Sequence, residues 1–281
     1  MTDNRKTKFS ISNLVAYVTL VLACILVLFP FLVIIVTSLK TYPDSVKVPF
    51  EFFPETVTTE AYSQVLKMSS LWRGLGNTII IVVPIMFIGV FNSSLAAYSF
   101  AKIKFKGRGL AFTILMFSMM LPGVITMTPA YVIYDTLGWT DTFLPLMIPN
   151  AFGTVTCMFY LRQYFHTIPK EMLEAAEIDG LGRFGTFLRI ILPLSKPALV
   201  AQLILWLIAG YNDYFGPMLY LDSERKYTLQ LVLHLMTGSA QSNWPKIMAG
   251  CVVALIPMLV IYLVAQKSFI DGIVSTGGLK E

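Results

Sequence analysis

Six long apolar stretches constrain the fold of this chain more than any other feature of its sequence. A helix needs about 20 mostly apolar residues to cross the hydrocarbon core of a bilayer. One charged residue, Asp213, interrupts the fifth stretch, and the others contain no Asp, Glu, Lys or Arg. They lie at roughly Leu14–Ser38, Thr78–Phe100, Gly109–Tyr134, Thr142–Leu161, Pro197–Leu221 and Ile247–Gln266. The sequence therefore predicts an all-α, polytopic membrane protein with six transmembrane helices.

The composition supports a membrane protein and argues against one that binds nucleic acid. Of the 281 residues, 56% are hydrophobic and 13% are charged, whereas soluble domains contain about 25% charged residues. The net charge of +5 is therefore interpreted through membrane topology. All three cysteines fall in apolar stretches without the spacing of metal ligands, so we expect neither a disulfide framework nor a metal site.

The distribution of Lys and Arg predicts the orientation of the spans. If the N-terminus is cytoplasmic, the inner segments contain about twice as many of these residues as the outer segments, as the positive-inside rule requires. The decisive loop is 102–108, which has four basic residues and no acidic one. Both termini are therefore predicted to be cytoplasmic.

A charge-rich segment, residues 162–196, separates the fourth and fifth apolar stretches and is interpreted as two short helices. Pro169 suits the first turn of a helix, and Glu171 suits the positive end of that helix. Gly180 predicts where the first helix ends, because glycine readily adopts the left-handed conformation that stops a helix. A second helix is predicted over Arg183–Leu192, before Pro193.

The first of these helices has an acidic stripe, since Glu171, Glu174 and Glu177 recur at every third residue. The small residues Ala175 and Ala176 would let a partner surface approach closely. An ordered polar insert of this kind predicts a docking site for a protein in the aqueous phase. The alternative is an amphipathic segment that lies on the bilayer, although such segments favour Lys and Arg on their polar face.

The spacing of this insert resembles the EAA loop of permease subunits from binding-protein-dependent ABC importers. The matching residues are Glu174, Ala175, Ala176, Gly180, Ile190, Leu192 and Pro193. The resemblance covers about residues 70–270, and within that group the chain is similar to the MalG-type permeases of carbohydrate importers. Two further segments support this, Tyr211-Asn212-Asp213-Tyr214-Phe215-Gly216-Pro217 and the tail from Phe269 to Lys280. Many relatives have tryptophan in place of Tyr211 and a different tail, which leaves the substrate open.

The resemblance implies a type I ABC importer permease fold in a bacterial inner membrane. Residues 71–270 would form the permease core with the coupling loop at 162–196, residues 1–70 an added helix and outer loop, and residues 271–281 a cytoplasmic tail. The coupling residues would be Glu171, Glu174, Ala175, Ala176, Asp179, Gly180 and Arg183.

The resemblance also implies several partners. These are a second related permease subunit, two cytoplasmic ATPase subunits and an extracytoplasmic sugar-binding protein. Residues 221–246 would face that binding protein, although an ordinary connecting loop explains them equally well. The chain would bind no cofactor, because ATP and Mg²⁺ would belong to the ATPase subunits.

Chemistry that an enzyme would need is missing from the sequence. No Gly-x-x-x-x-Gly-Lys-[Ser/Thr] phosphate loop is present, so the chain cannot be its own ATPase by that route. No His, Cys and carboxylate cluster or nucleophile–base pair stands out. We therefore expect a transport subunit and not an enzyme.

Polar residues inside the apolar stretches are candidates for a substrate pathway, since they are costly to bury in lipid. The resemblance directs attention to Asn150, Gly153, Tyr211 and Asn212, and Asp213 is a fifth candidate because it is a charged residue inside a span. Their amide and aromatic groups suit a sugar. Hydrogen bonding between helices is the alternative explanation.

The predicted function is a permease subunit of an ATP-driven importer for a carbohydrate, either an oligosaccharide or a related polyol. A permease for glycerol phosphate is one alternative, although Lys and Arg are absent from the middle of every span. An ion-coupled secondary transporter is another. It would need a titratable relay inside the membrane, for which only Asp213 qualifies.

Overall fold

The structure is a computed structural model that describes residues 11–238 and 243–277, and places side chains for 13–238 and 243–266. All regular secondary structure in these ranges is helical. The helices are α1 (Ile11–Ser38), α2 (Tyr42–Ser45), α3 (Glu60–Leu66), α4 (Ser69–Lys102), α5 (Arg108–Met119), α6 (Gly123–Thr136), α7 (Leu144–Ala151), α8 (Val155–Thr167), α9 (Lys170–Ile178), α10 (Arg183–Thr186), α11 (Leu192–Leu194), α12 (Lys196–Asn212), α13 (Phe215–Tyr220), α14 (Leu229–Met236) and α15 (Trp244–Gly277). A π-helical turn, Phe187–Ile191, joins α10 to α11, and a 3₁₀ turn, Glu224–Lys226, precedes α14.

Four segments of the described chain are long and apolar enough to cross a membrane, and two bent helix pairs bring the number to as many as six. The four segments are Asn13–Ser38, Ser69–Lys102, Leu144–Thr167 and Trp244–Gln266. This confirms the all-α, polytopic fold class predicted from the apolar stretches. It also shows that the third and fifth predicted spans are not single straight helices.

The third predicted span bends by 96° between α5 and α6. Pro122 stands at this break and restricts Leu121 to a non-helical backbone conformation. Neither helix buries any side chain within the described chain. Phe112, Leu115 and Met116 of α5 pack, partly buried, against buried core residues, whereas most apolar residues of α6 are exposed.

The fifth predicted span, Pro197–Leu221, is not one continuous helix. The helix α12 ends at Asn212, because Asp213 has an extended backbone (ψ 115°) and the chain restarts in the short α13. At its other end, α12 follows a 79° bend after Leu194. Pro193 does not end the preceding helical segment, which runs one residue further.

The chain divides into two compact units. One combines the residues up to Met68 with Met236–Leu255, and the other consists of Ser69–Leu235 together with the residues from Ile256 onwards. In the first unit, α1 is exposed along most of its apolar length, and Thr37 and Ser38 at its end are buried. The segment after it is ordered by Lys40, which is only 1% exposed, donates to the Glu51 carbonyl and lies 4.3 Å from the Phe50 ring centroid.

The second unit is built on α4, which packs along α8 and also contacts α7 and α12. Its core includes Phe165, Phe187 and Ile191, which are completely buried. The Phe187 ring lies 5.9 Å from Phe91 and 5.4 Å from Tyr98, both on α4. The π-helical turn is thereby fixed to the central helix of this unit.

Candidate coupling surface and membrane cavity

The helix α9 begins and ends where its local sequence predicts. Pro169 precedes its first residue, and Gly180 after its end has a φ of 78°. The Leu181 N–H donates to the Ala176 carbonyl at 2.9 Å, and the Gly180 N–H donates to the Glu177 carbonyl at 3.0 Å. These two bonds form a Schellman cap, which requires a left-handed residue at position 180. The helix–glycine–helix geometry predicted for this insert is confirmed.

The residues predicted to couple to an ATPase occupy different faces of this insert. The exposed ones are Glu171, Glu174, Ala175, Asp179, Gly180 and Arg183, and Glu177 is exposed beside them. Ala176 is 2% exposed, so it packs inside this chain and cannot let a partner approach, as the sequence interpretation had supposed. Ile178, which that interpretation did not single out, is 86% exposed. The exposed surface of α9 is therefore acidic, with Ile178 and Met172 as its large apolar residues.

The insert is attached firmly to the rest of its unit. Ahead of α9, the Lys102 Nζ at the end of α4 donates to the Ile168 carbonyl at 2.7 Å. Behind α10, the π-helical turn buries Phe187 and Ile191 completely. π-Helical turns are rare in proteins, and those that do occur are often found at functional sites. A force on α9 would therefore reach α4 and α12 through packed side chains.

The segment from α7 to α8 is interrupted at residues 152–154, and α4 supplies the lost hydrogen bonds. The Asn92 Nδ2 donates to the Ala151 carbonyl at 2.7 Å, and the Ser93 Oγ accepts from the Thr154 N–H at 3.0 Å. Interrupted helices are tolerated in membranes when neighbours satisfy the freed backbone groups in this way. These two polar residues of α4 therefore serve helix packing.

Gly153 is held against α4 at this interruption. Its φ is 94°, and a Cβ atom there would lie 2.5 Å from the Ser93 Oγ. Gly153 does not line the membrane cavity. Its observed contacts are those of a packing residue.

A cavity of about 620 Å³ lies between α4, α7, α8, α12 and α13. Asn150 and Asp213 line it, whereas the other predicted pathway residues, Gly153, Tyr211 and Asn212, do not. Further polar side chains on its wall are Thr78, Thr154, Thr156, Gln202 and Thr228. The described residues of the wall include no Lys or Arg.

Two predicted pathway residues at the end of α12 make local hydrogen bonds. The Asn212 Nδ2 donates to the Ile208 carbonyl at 2.8 Å, and the Asp213 Oδ1 accepts from the Gly216 N–H at 3.0 Å. Tyr211 is 5% exposed and packs in the interior. Asp213 therefore combines a position on the cavity wall with a structural role before α13.

Sequence reasoning missed Gln202 and Thr228 on the cavity wall. Gln202 is an amide within the apolar run of α12 and is 7% exposed, so its isolation in the sequence was a usable signal. Thr228 is 5% exposed, and its Oγ1 has no hydrogen-bond partner in the described structure. It lies outside the predicted spans, so only the folded arrangement reveals it.

Asp141 connects the loop before α7 to the segment after α13. Its carboxylate accepts from the Ser223 N–H at 2.9 Å, the Ser223 Oγ at 2.6 Å, the Asp222 N–H at 3.1 Å and the Lys226 Nζ at 2.8 Å. The Lys226 ammonium, followed by Ser223, holds the pKa of the Asp141 carboxyl well below its usual range. On the other side, the Asn77 Nδ2 donates to the Arg225 and Tyr227 carbonyls at 2.9 and 3.0 Å.

Residues 221–238, which belong to the loop predicted to face the binding protein, are therefore held by defined contacts. The helix α14 buries Leu229, Leu231, Val232 and Leu233. The polar tip of that loop, residues 239–242, lies outside the described residues, as do the last residues of the tail, 278–281.

One group of three carboxylates, Asp44, Glu51 and Glu55, brings oxygen atoms within 4.8 Å of one another in the described chain. The Lys47 Nζ lies 3.1 Å from Asp44 and also contacts Glu55. The Glu55 and Asp44 carboxylates raise the pKa of Lys47. The Lys47 ammonium group thus offsets part of the negative charge of this cluster.

A set of bent and interrupted membrane helices around one long central helix, with a capped polar insert, defines a membrane transport subunit. The model of the family described as binding-protein-dependent transport system inner membrane component matches residues 89–273. The chain belongs to this family. That membership confirms the resemblance carried by the residues from Glu174 to Pro193.

Named relatives cover nearly the whole chain. The arabinooligosaccharides transport system permease protein AraQ of Halalkalibacterium halodurans is 29% identical over 90% of this chain and 91% of its own. The sn-glycerol-3-phosphate transport system permease protein UgpE of Rhizobium meliloti is 31% identical over 96% of this chain and 98% of its own.

A solved structure has the same fold. It is a chain of a bacterial ABC transporter involved in the import of the acidic polysaccharide alginate, with a TM-score of 0.80 and 26% identity. The match covers 93% of this chain and 99% of that one. The fold is therefore that of an ABC importer permease.

Proposed function

We propose that this chain is the transmembrane permease subunit of an ATP-driven importer for a carbohydrate, an oligosaccharide or a related polyol. The observation that carries the proposal is the exposed, capped helix α9, whose continuation is locked into the core at Phe187 and Ile191. An exposed element with a buried connection is suited to receive a force from outside and pass it to the spans. Family membership supports this function.

In the proposed mechanism, α9 docks on a cytoplasmic ATPase subunit through its exposed acidic face. Closure of the ATPase dimer on ATP moves α9 and α10, and the π-helical turn transfers this movement to α4 and α12. The cavity between these helices then changes its access from one side of the membrane to the other. ATP and Mg²⁺ bind the ATPase subunits, and this chain contributes no ATPase site or cofactor.

The proposed assembly contains this chain, a second related permease subunit, two ATPase subunits and an extracytoplasmic sugar-binding protein. Loop 102–108 and both termini lie in the cytoplasm of a bacterial cell. The segment clamped by Asp141 and Asn77 lies on the opposite side and faces the binding protein. An alginate importer in complex with a pentasaccharide-bound periplasmic protein has a related fold, with a TM-score of 0.65 at 16% identity.

The cavity wall supports an uncharged, hydroxyl-rich cargo. The amide and hydroxyl groups on the wall can exchange hydrogen bonds with a sugar. A transported phosphate would favour Arg or Lys on the wall, and the described wall has neither. The names of AraQ and the alginate importer point to oligosaccharides. The name of UgpE keeps glycerol phosphate as the second candidate.

The coupling role is tested with Glu174→Lys, and Glu60→Lys serves as the matched control because it is also an exposed glutamate on a helix. Reversing one charge in a complementary interface costs at least a few kcal/mol, so the fraction of ATPase that co-purifies should fall about tenfold or more. ATP-driven uptake should fall with it, while the control keeps both. Unchanged ATPase binding and uptake in Glu174→Lys would disprove the docking role.

A further inference from the structure

A cluster of basic side chains lies where α4, α5 and α8 meet, and none of them lines the cavity. It consists of Lys104, Lys106, Arg108 and Arg162. Within the described residues, none of the four forms a salt bridge. Lys104 and Lys106 are exposed, and the two arginines are half-buried. These charges are therefore available to an anionic ligand.

We propose that this cluster binds the headgroup of an anionic phospholipid. The two guanidinium groups are already positioned, because the Arg108 Nη1 donates to the Ile103 carbonyl and the Arg162 Nε donates to the Phe100 carbonyl, both at 3.2 Å. Each guanidinium has five N–H donors, so most remain free. Their planar fork matches the oxygen atoms of a phosphate.

Aromatic rings beside these cations supply the apolar half of a lipid site. The Arg162 guanidinium lies 4.0 Å from the centroid of the Phe112 ring. That ring is 5.8 Å from Phe100, which in turn is 5.7 Å from Phe105. Phe105 is 43% exposed. A phospholipid whose headgroup contacts the arginines would therefore place its acyl chains near phenylalanine rings. A soluble phosphate has no apolar part that could contact these rings.

The position of the cluster also favours a lipid. The turn between Ile103 and Gly107 connects the end of the span α4 to α5, so it lies at the depth of the headgroups. Basic pockets between membrane helices at this level bind anionic headgroups. The proposal concerns neither the cargo nor α9, so it stands or falls separately from the proposed function.

The test measures the lipid preference of the full chain, purified with its partner subunits in mild detergent. Native mass spectrometry counts bound phosphatidylglycerol against phosphatidylcholine supplied in equal amounts. The variant Lys104→Gln/Lys106→Gln removes two exposed charges with no described contacts. The control Lys67→Gln/Arg73→Gln removes two exposed charges near the other end of α4.

The parent chain should prefer phosphatidylglycerol, and the 104/106 variant should lower that preference about fivefold for each charge removed. The control should keep it. Arg108→Lys retains the positive charge but loses the planar guanidinium group, so it should reduce the preference for phosphatidylglycerol only partially. The proposal would be overturned if the parent chain showed no preference for phosphatidylglycerol, or if soluble glycerol 3-phosphate displaced the lipid. It would also be overturned if the 104/106 variant kept the preference, whether or not that variant lost the ATPase subunits.

Discussion

Two glycines, Gly89 on α4 and Gly153 in the interruption between α7 and α8, allow the close packing of this segment. A Cβ atom at Gly89 would lie 2.5 Å from the Trp206 ring and 2.7 Å from the Asn150 carbonyl. Gly153 needs both a positive φ and contact with Ser93. Neither requirement can be read from the local sequence. Gly153 was placed in the substrate pathway by resemblance, whereas its contacts are with α4.

Gly153→Ala should destabilise the protein by about 2–4 kcal/mol, because it combines a left-handed backbone with overpacking against a main chain. Gly76→Ala is the control, since this helical glycine has no atom within 4 Å of the added Cβ and alanine favours helix. The measurement is the thermal unfolding midpoint in detergent. A Gly153→Ala midpoint equal to that of the parent chain would contradict the packing role.

Asp141 should determine how acid affects the clamp on the segment after α13. Because its pKa is lowered by folding, its stabilising contribution is complete above the unfolded pKa of about 4 and is lost as the pH falls through the folded pKa. Asp141→Asn tolerates the φ of 52° but loses the ion pair with Lys226. Its thermal midpoint should lie below that of the parent chain at pH 7, and the difference should shrink below about pH 4.

Asp141→Ala removes all the hydrogen bonds to the carboxylate and is less compatible with a positive φ. Its midpoint should therefore be the lowest of the three chains at pH 7. If Asp141→Asn and Asp141→Ala both melt like the parent chain from pH 3 to 7, the clamp contributes nothing to stability.

Among the elements, α9 was the most predictable because its signals are local. Pro169 and Gly180 fix its ends by backbone preference alone, and the cap forms at the predicted residue. The bend between α5 and α6 and the early end of α12 were less predictable. Membrane helices tolerate proline and polar residues when neighbours compensate, so Pro122 and Asp213 did not distinguish a kink from a break. The cavity wall depends on which helix faces meet, which the sequence does not encode locally.

Gly180→Ala should weaken ATPase binding by up to about tenfold, because a left-handed alanine costs about 1–2 kcal/mol and loosens the cap of α9. Gly180→Asn should recover part of the binding, since asparagine tolerates this conformation. The matched control is Gly182→Ala, where the backbone has a φ of −68° and the added Cβ meets nothing within 4 Å. Affinity is measured by titrating purified ATPase subunits. Equal losses at positions 180 and 182 would refute the cap explanation.

At the scale of the whole molecule, the apolar stretches predicted the membrane class and the loops predicted its orientation. Single cysteines introduced in a chain lacking the three native ones test that orientation. Lys106→Cys should react with a membrane-impermeant maleimide only after the cells are opened, whereas Asp222→Cys should react in intact cells or spheroplasts. The reverse pattern would invert the topology and place α9 on the wrong side for a cytoplasmic ATPase.

The central claim is that ATP hydrolysis on partner subunits drives a carbohydrate through the membrane with this chain. The most direct measurement is uptake of a labelled oligosaccharide into proteoliposomes that contain the assembled subunits, with binding protein outside and ATP inside. Uptake should require ATP and persist when a protonophore collapses the proton gradient. Uptake that continues without ATP, or that stops with the protonophore while ATP is held constant, would contradict the account and favour an ion-coupled transporter.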